Sequence, residues 1–166
     1  MPNSNLSKFT QKELGDIYSE LILYFENSSG LHNESLSTRA KGYRKLLQDL
    51  NLKPQAFATL DELANENIAS CDGQQSQLFF HDAKKNQLKS IFYHLRNAAA
   101  HADIKRVTCN KNQIWYCIEH RHKQQLKMIF NIRNNDFWCF VKESKKMKKL
   151  AKLNNNVEVK RYESTR

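Results

Sequence analysis

Five side chains that could take part in catalysis follow one another at helical spacing near the middle of the chain: Tyr93, His94, Arg96, Asn97 and His101. Histidine gives or takes a proton near neutral pH, so His101 is a candidate for general acid–base catalysis. The guanidinium of Arg96 is permanently charged and binds phosphate oxygens through a planar fork of donors. Asn97 lies one helical turn before His101 and can orient the imidazole or a ligand. These residue types predict a site for phosphate chemistry.

One amphipathic helix must position these side chains. At about 100° per residue, the polar side chains fall on one face of this helix and apolar side chains on the other. The apolar face consists of Leu88, Ile91, Phe92, Leu95, Ala98, Ala99 and Ala102. We therefore predict a helix over about residues 80–102 that buries its apolar face and presents the polar face as a site. The alternative is that Arg96 and His101 are ordinary surface residues beside an alanine run.

The segment Arg-Asn-Ala-Ala-Ala-His at residues 96–101 resembles the signature of the HEPN superfamily, in which an arginine and a polar residue precede a histidine. The resemblance covers about residues 78–141, and the first seventy residues are similar only in helical character. It implies an all-α bundle that dimerises and brings two Arg/His motifs into one cleft. Many members of this family are metal-independent endoribonucleases, whereas others bind nucleotides or RNA without cutting.

Hydrophobic periodicity predicts the remaining elements. Apolar residues recur at helical steps in four further segments: residues 10–27, about 37–50, 54 to roughly 69, and from 135 onward. Ile114–Ile118 and Leu126–Ile132 are β-branched and aromatic, which predicts a two-stranded hairpin. The expected fold is mainly α: a HEPN-like helical bundle of about five helices with a small β-hairpin inserted before the last helix. It would form a single domain over residues 1–153, followed by a frayed tail at 154–166.

Charge is distributed unevenly along the 166 residues, whose formal net charge is +10. Residues 1–80 contain seven Lys and Arg against ten Asp and Glu, whereas residues 81–166 contain twenty against seven. The motif lies in the basic half, which favours a polyanion such as RNA over a merely solvated surface. Candidate contacts to the RNA backbone are four lysines of the last predicted helix: Lys145, Lys146, Lys148 and Lys149. The alternative for these lysines is a solvated helix face.

Other classes of site are not indicated by the sequence. The four cysteines lack the spacing of a zinc clip, and we expect them to be reduced. His120 and His122 could supply two metal ligands, but no cluster of Cys or carboxylates completes the set, so we expect no metal and no cofactor. The longest apolar run, Leu21–Phe25, is too short to span a membrane. The chain begins without a secretory leader, so we expect a cytoplasmic protein without membrane contact.

Together with the resemblance, these features predict a homodimeric, metal-independent endoribonuclease with a toxin or antiphage defence role. His101 would transfer the proton, Arg96 would hold the scissile phosphate, and Asn97 would orient either group. Tyr93 and His94 would line the groove and contact RNA. One alternative is a non-catalytic RNA- or nucleotide-binding module that regulates a partner, such as an antitoxin or a nucleotidyltransferase. Another is a helical oligomer whose motif face makes the dimer contact.

Overall fold

A six-stranded mixed β-sheet is the main feature of the computed structural model, which describes residues 5–23, 26, 41–66, 68, 75–84, 86–109 and 112–144. The strands are β1 (Asn5–Ser7), β2 (Pro54–Phe57), β3 (Gln77–His81), β4 (Ile104–Cys109), β5 (Gln113–His122) and β6 (Gln125–Arg133). They lie in the order β1-β4-β5-β6-β3-β2. Strands β2 and β3 pair in parallel, and the other neighbours pair antiparallel.

Short helices surround this sheet. They are α1 (Gln11–Ile17), which a π-helical segment (Tyr18–Leu23) continues, α2 (Lys41–Asp49), α3 (Leu60–Ala64), α4 (Gln87–Ala100) and α5 (residues 134–144). Helix α4 carries the Arg/His motif and is called the motif helix below. Asn86 caps its start by accepting a hydrogen bond from the N–H of Lys89. Helix α1 begins at a capping box formed by Thr10 and Glu13, in which each side chain bonds the other residue's N–H.

The apolar face of the motif helix packs into the main hydrophobic core. Five of its residues are buried: Leu88, Ile91, Phe92, Leu95 and Ala98. They belong to one cluster with buried side chains of β5, β6 and α5. The Phe92 ring lies 5.7 Å from that of Phe140 on α5. Because each buried Leu, Ile or Phe contributes about 1.5–3 kcal/mol, this face holds the motif helix firmly against the sheet.

The mainly α fold expected from the sequence is wrong. In place of a HEPN-like bundle of about five helices, the described residues form a six-stranded sheet with short helices around it. The predicted hairpin is present, since β5 and β6 pair from Trp115 and Arg133 to His122 and Gln125. It is not an insertion, however, because β4 and β3 flank it in the centre of the sheet. These neighbours supply the pairing that an isolated hairpin lacks.

Two of the unexpected strands lie where the sequence predicts helix. Strand β2 occupies the start of the segment 54–69, of which Leu60–Ala64 is helical. Strand β3 overlaps the predicted start of the motif helix, and its Leu78 and Phe80 are buried while the residues between are half-buried. This alternation is the period of a strand. Both segments are so short that pairing with strands distant in sequence decides their conformation.

The structure also tests the expectation of reduced cysteines. Cys117 forms a disulfide, so the expectation of reduced cysteines is wrong for this residue, whereas Cys139 is a free, exposed thiol.

The frayed tail expected at 154–166 lies outside the described residues, which end at 144. Within the part of the chain that the structure describes, no helix is long and apolar enough to cross a membrane.

The motif helix ends in a left-handed residue that is not glycine. His101 is its C-cap, and Ala102 follows with a φ of 58° and an exposed side chain, outside the buried face predicted for it. The N–H groups of residues 102 and 103 donate to the carbonyls of Ala99 and Ala98 at 3.2 and 2.8 Å. This is the bonding pattern of a Schellman motif, in which glycine usually occupies the left-handed position. The Cβ of alanine costs roughly 1–2 kcal/mol there.

Ala102→Gly should therefore stabilise the protein. Glycine removes the Cβ crowding but adds freedom to the unfolded chain, so we expect a net gain of about 0.5–1 kcal/mol in the free energy of unfolding. Urea denaturation at neutral pH measures this difference. Ala100→Gly, at the last helical residue, is the matched control and should lower stability by up to about 1 kcal/mol. Destabilisation by both substitutions would show that the left-handed conformation at residue 102 is not strained.

Candidate active site

A pocket of about 310 Å³ opens where the polar side of the motif helix meets strands β3, β5 and β6. Every histidine of the described residues lines it: His81, His94, His101, His120 and His122. The other lining residues are Ala83, Tyr93, Asn97 and Lys127. The described residues place no carboxylate in this lining. The pocket therefore offers several groups that can donate hydrogen bonds or carry positive charge, which suits an anionic ligand.

Spacing along the motif helix and β5 brings the histidines together. His94, Asn97 and His101 are three and four residues apart, so they lie along one side of the helix. His120 and His122 are two residues apart on β5 and share one face of the strand. The helix side and the strand face meet at the pocket, and His81 at the end of β3 closes a third side.

A β-bulge directs Lys127 towards the pocket. Along β5 and β6, His120 pairs with Met128 and Arg121 pairs with Leu126, so that Lys127 is the extra residue on β6. A bulge leaves its extra residue unpaired in the ladder and turns the side chain away from the regular alternation. Lys127 lines the pocket as a result. Its ammonium also lies within 3.3 Å of Gln125 Oε1.

Two buried histidines are hydrogen-bonded to each other at the back of the pocket. His94 Nδ1 lies 2.7 Å from His120 Nδ1, and His94 Nε2 lies 2.8 Å from the backbone carbonyl of His81. The side chains of His94 and His120 are only 1% and 5% exposed. Burial disfavours a charged imidazole unless a partner stabilises the charge.

The electrostatic surroundings keep this pair neutral. Burial lowers the pKa of His94 to about 4, and the nearby His120 acts in the same direction. Burial also lowers the pKa of His120 to about 4. His101, His122 and Lys127 lower it further, and Asp103 partly opposes them. Both rings are therefore unprotonated bases at neutral pH, surrounded by groups that favour an incoming anion.

Arg96 does not line this pocket. Its guanidinium pairs with Glu26 through Nε and Nη2, and Nη1 donates to Asn97 Oδ1 at 2.9 Å. The side chains of Arg96 and Glu26 are 38% and 42% exposed, so the ion pair contributes little stability. Arg96 reaches the pocket only through Asn97, which is buried and lines it. The role of Arg96 as a phosphate ligand stays a prediction.

Four of the other predicted site residues line the pocket: Tyr93, His94, Asn97 and His101. Tyr93 lies at its rim, where the Lys84 ammonium sits 4.3 Å from the ring centroid. Asn97 and His101 lie along the pocket wall, and His94 lies deeper than expected because the sheet covers its side of the helix. The four lysines proposed to contact RNA, Lys145, Lys146, Lys148 and Lys149, lie outside the described residues.

Sequence reasoning missed four contributors: His81, His120, His122 and Lys127. The alternation of His120 and His122 is a usable signal that they share one face of a strand, but their residue types pointed only to metal ligation. In the part of the chain that the structure describes, no group of three or more His, Cys, Asp or Glu is arranged to hold a metal ion. The position of Lys127 depends on the β-bulge, which cannot be predicted from the sequence.

Comparison with known proteins leaves the site to be interpreted from its own geometry. The chain matches no family model, and searches of curated proteins and of solved structures gave no significant match.

Replacing His94 should reduce the loss of stability in acid. Folding lowers the pKa of His94 from 6.5 to about 4. The stabilising contribution of His94 to the free energy of unfolding is therefore complete above pH 6.5 and is lost as the pH falls towards 4. His94→Gln keeps a donor for the His81 carbonyl and an acceptor for His120 but cannot titrate. We expect the loss of unfolding free energy between pH 7 and pH 4 to shrink by up to about 3 kcal/mol.

Urea denaturation at several pH values tests this expectation. His122→Gln, which removes an exposed histidine of the same pocket, is the control and should retain the pH dependence of the wild type more closely. An unchanged acid loss in His94→Gln would show that His94 is not buried in its neutral form.

Proposed function

We propose that the histidine-lined pocket is the active site of an endoribonuclease. The proposed reaction is attack of an RNA 2′-hydroxyl on the adjacent phosphorus, which breaks the bond to the 5′-oxygen and leaves a 2′,3′-cyclic phosphate. One observation carries the proposal: five histidines and Lys127 converge on a pocket whose described lining contains no carboxylate. Because the HEPN resemblance implies a helical bundle and this chain forms a sheet, the proposal depends on the pocket rather than on that resemblance.

The proton carriers of the pocket match the needs of this reaction. The 2′-hydroxyl must lose a proton as it attacks, and the departing 5′-oxygen must gain one, so two positioned groups are required. His101 lies at the exposed end of the motif helix and lines the pocket. His120 provides a second, neutral imidazole on the facing strand. A pair of histidines on two facing elements can accept the first proton and supply the second.

Fixed donors stabilise the charge that accumulates on the phosphate. Lys127 supplies a positive charge at the pocket, and Asn97 supplies an amide held by the Nη1 of Arg96. Groups already oriented towards developing negative charge lower the barrier because they need no reorganisation during the reaction. In this arrangement Lys127 contacts the phosphate within its own subunit, and Arg96 orients Asn97. A toxin or antiphage role remains compatible with RNA cleavage of this kind.

Loss of His101 or Lys127 should abolish most cleavage of total RNA in the presence of EDTA. We expect His101→Ala to slow cleavage by about 10²–10⁴-fold, because a proton carrier is lost. Lys127→Ala should slow it by about 10²–10³-fold, because a charge-stabilising donor is lost. Gel analysis and identification of the 2′,3′-cyclic phosphate ends measure both effects.

The controls separate the proposed chemistry from general effects. Lys105→Ala removes an exposed lysine of β4 outside the pocket and should leave cleavage unchanged. DNA of matching sequence lacks the 2′-hydroxyl and should not be cut. Cleavage that requires Mg²⁺, or that survives His101→Ala, would contradict the mechanism. Binding of RNA by the wild type without cleavage would favour the non-catalytic module instead.

Mixing two inactive variants tests whether Arg96 acts in a second subunit. Arg96 is partly exposed and does not line its own pocket, so a two-fold dimer through the motif helix would allow it to contact the partner's cleft. If so, mixed Arg96→Ala and His101→Ala chains should recover about a quarter of wild-type activity, because half of the dimers would contain one intact site. No recovery in a mixture shown by light scattering to exchange subunits would restrict Arg96 to its own Asn97.

A further inference from the structure

A chain of two hydrogen bonds fixes the tautomers of the buried histidine pair. A carbonyl oxygen can only accept, so His94 Nε2 must donate its proton to the oxygen of His81 at 2.8 Å. A neutral imidazole carries one proton, so His94 Nδ1 must be the acceptor in its 2.7 Å contact with His120. His120 Nδ1 is therefore the donor. The backbone of β3 thus determines the protonation of a side chain on β5.

This chain leaves the remaining ring nitrogen of His120 with an unshared electron pair. Once Nδ1 carries the proton of the neutral ring, Nε2 carries none. Among the described residues, Nε2 of His120 has no hydrogen-bond partner, while His120 itself lines the pocket. A base needs an unprotonated nitrogen, a fixed ring and access to its substrate. His120 combines all three, because His94 holds the ring from behind.

We propose that His120 Nε2 is the general base of the RNA cleavage and that His94 is its positioning residue. This inference rests on the proposed function. Nε2 takes the proton of the 2′-hydroxyl as its oxygen bonds to phosphorus, and the bond from phosphorus to the 5′-oxygen breaks. His101 then supplies the proton that the 5′-oxygen needs. The step begins with His120 neutral and His101 protonated and ends with His120 protonated and His101 neutral, so proton exchange with water restores both.

The surroundings of His120 make it a base that strengthens when substrate binds. Asp103 favours protonation of the His120 ring. In the free pocket, however, His120 also faces His101 and His94 of the motif helix, His122 of its own strand and Lys127 of β6. These groups keep its ring deprotonated before RNA arrives. A bound phosphate adds a negative charge to the same pocket, which favours the protonated ring. Proton uptake by His120 is thereby linked to the presence of the phosphodiester.

Histidine ¹⁵N NMR spectroscopy tests the tautomers without any substrate. At pH 7 we expect His94 to be protonated at Nε2 and His120 at Nδ1. His94→Gln, whose amide can still donate to the His81 carbonyl and accept from His120, should preserve the His120 tautomer. His94→Leu has no acceptor, so His120 should become a mixture of tautomers. A wild-type His120 protonated at Nε2 would overturn the inference, whether or not the protein cleaves RNA.

Kinetics on a single-stranded RNA oligonucleotide of mixed sequence tests the catalytic role. His120→Gln should lower kcat by about 10²–10⁴-fold, while the affinity for the 2′-O-methyl form of the same oligonucleotide stays near that of the wild type. His94→Gln should retain far more activity than His94→Leu. In both His94 variants, the acidic limb of the profile of kcat against pH should shift. Arg121→Gln is the matched control, because Arg121 lies between the two histidines in the sequence of β5 but does not line the pocket, and its side chain bonds to Glu119.

The outcomes separate the inference from the proposed function. Loss of cleavage in His101→Ala with unchanged cleavage in His120→Gln would overturn the assignment of His120 and leave the active site in place. Equal activity of His94→Gln and His94→Leu would overturn the positioning role of His94. If the wild type cleaves no RNA, the proposed function fails and the assignment of a base fails with it.

Discussion

The hydrogen bond between His94 and His120 is the contact on which the arrangement of the pocket depends. It joins the polar side of the motif helix to the centre of the sheet, where both rings are buried. Burying two imidazoles is unfavourable unless their polar atoms are bonded. The His81 carbonyl bonds the second nitrogen of His94 by accepting from it, while Nε2 of His120 remains available to the pocket. Because the helix cannot rotate or slide without breaking these bonds, Asn97 and His101 are held over the pocket.

This contact also explains why the motif helix is buried on more than one side. Its apolar face lies in the main core, as its periodicity predicts, while β3 and β5 cover part of the opposite face. Ser90 on that face is buried too, and it bonds Asp82 Oδ1 at 2.6 Å. The polar face thus serves in part as a second packing surface. Its exposed portion, near His101, is where a ligand can enter.

The sequence predicts those parts of the fold that local patterns determine. The motif helix and the β5–β6 hairpin are of this kind, since a local residue pattern specifies each. Local patterns do not determine strands β2, β3 and β4. Segments of only four to six residues become strands when they pair with strands that are distant in sequence. The sheet in turn could not be predicted without them, which is why a helical bundle was expected.

The same distinction applies to the site. Asn97 and His101 could be predicted because they share one side of a helix with a strong pattern. Lys127 could not, since its direction depends on a bulge in the strand register. Nor could the orientation of Arg96, because Glu26 lies seventy residues away in sequence. The positive charge of Arg96 did not predict where its side chain lies, because its guanidinium pairs with Glu26 outside the pocket.

The most direct test of the central claim is to map where RNA binds by following the histidine ¹³Cε1 and backbone amide resonances during titration with a 2′-O-methyl oligonucleotide. The histidine pocket predicts saturable shifts at His101, His120 and His122, with smaller changes elsewhere. A second cavity, of about 420 Å³, lies where β5 begins and α5 starts and includes Arg133 and Asp136 in its lining. Shifts confined to that cavity, with the pocket histidines unmoved, would contradict the account.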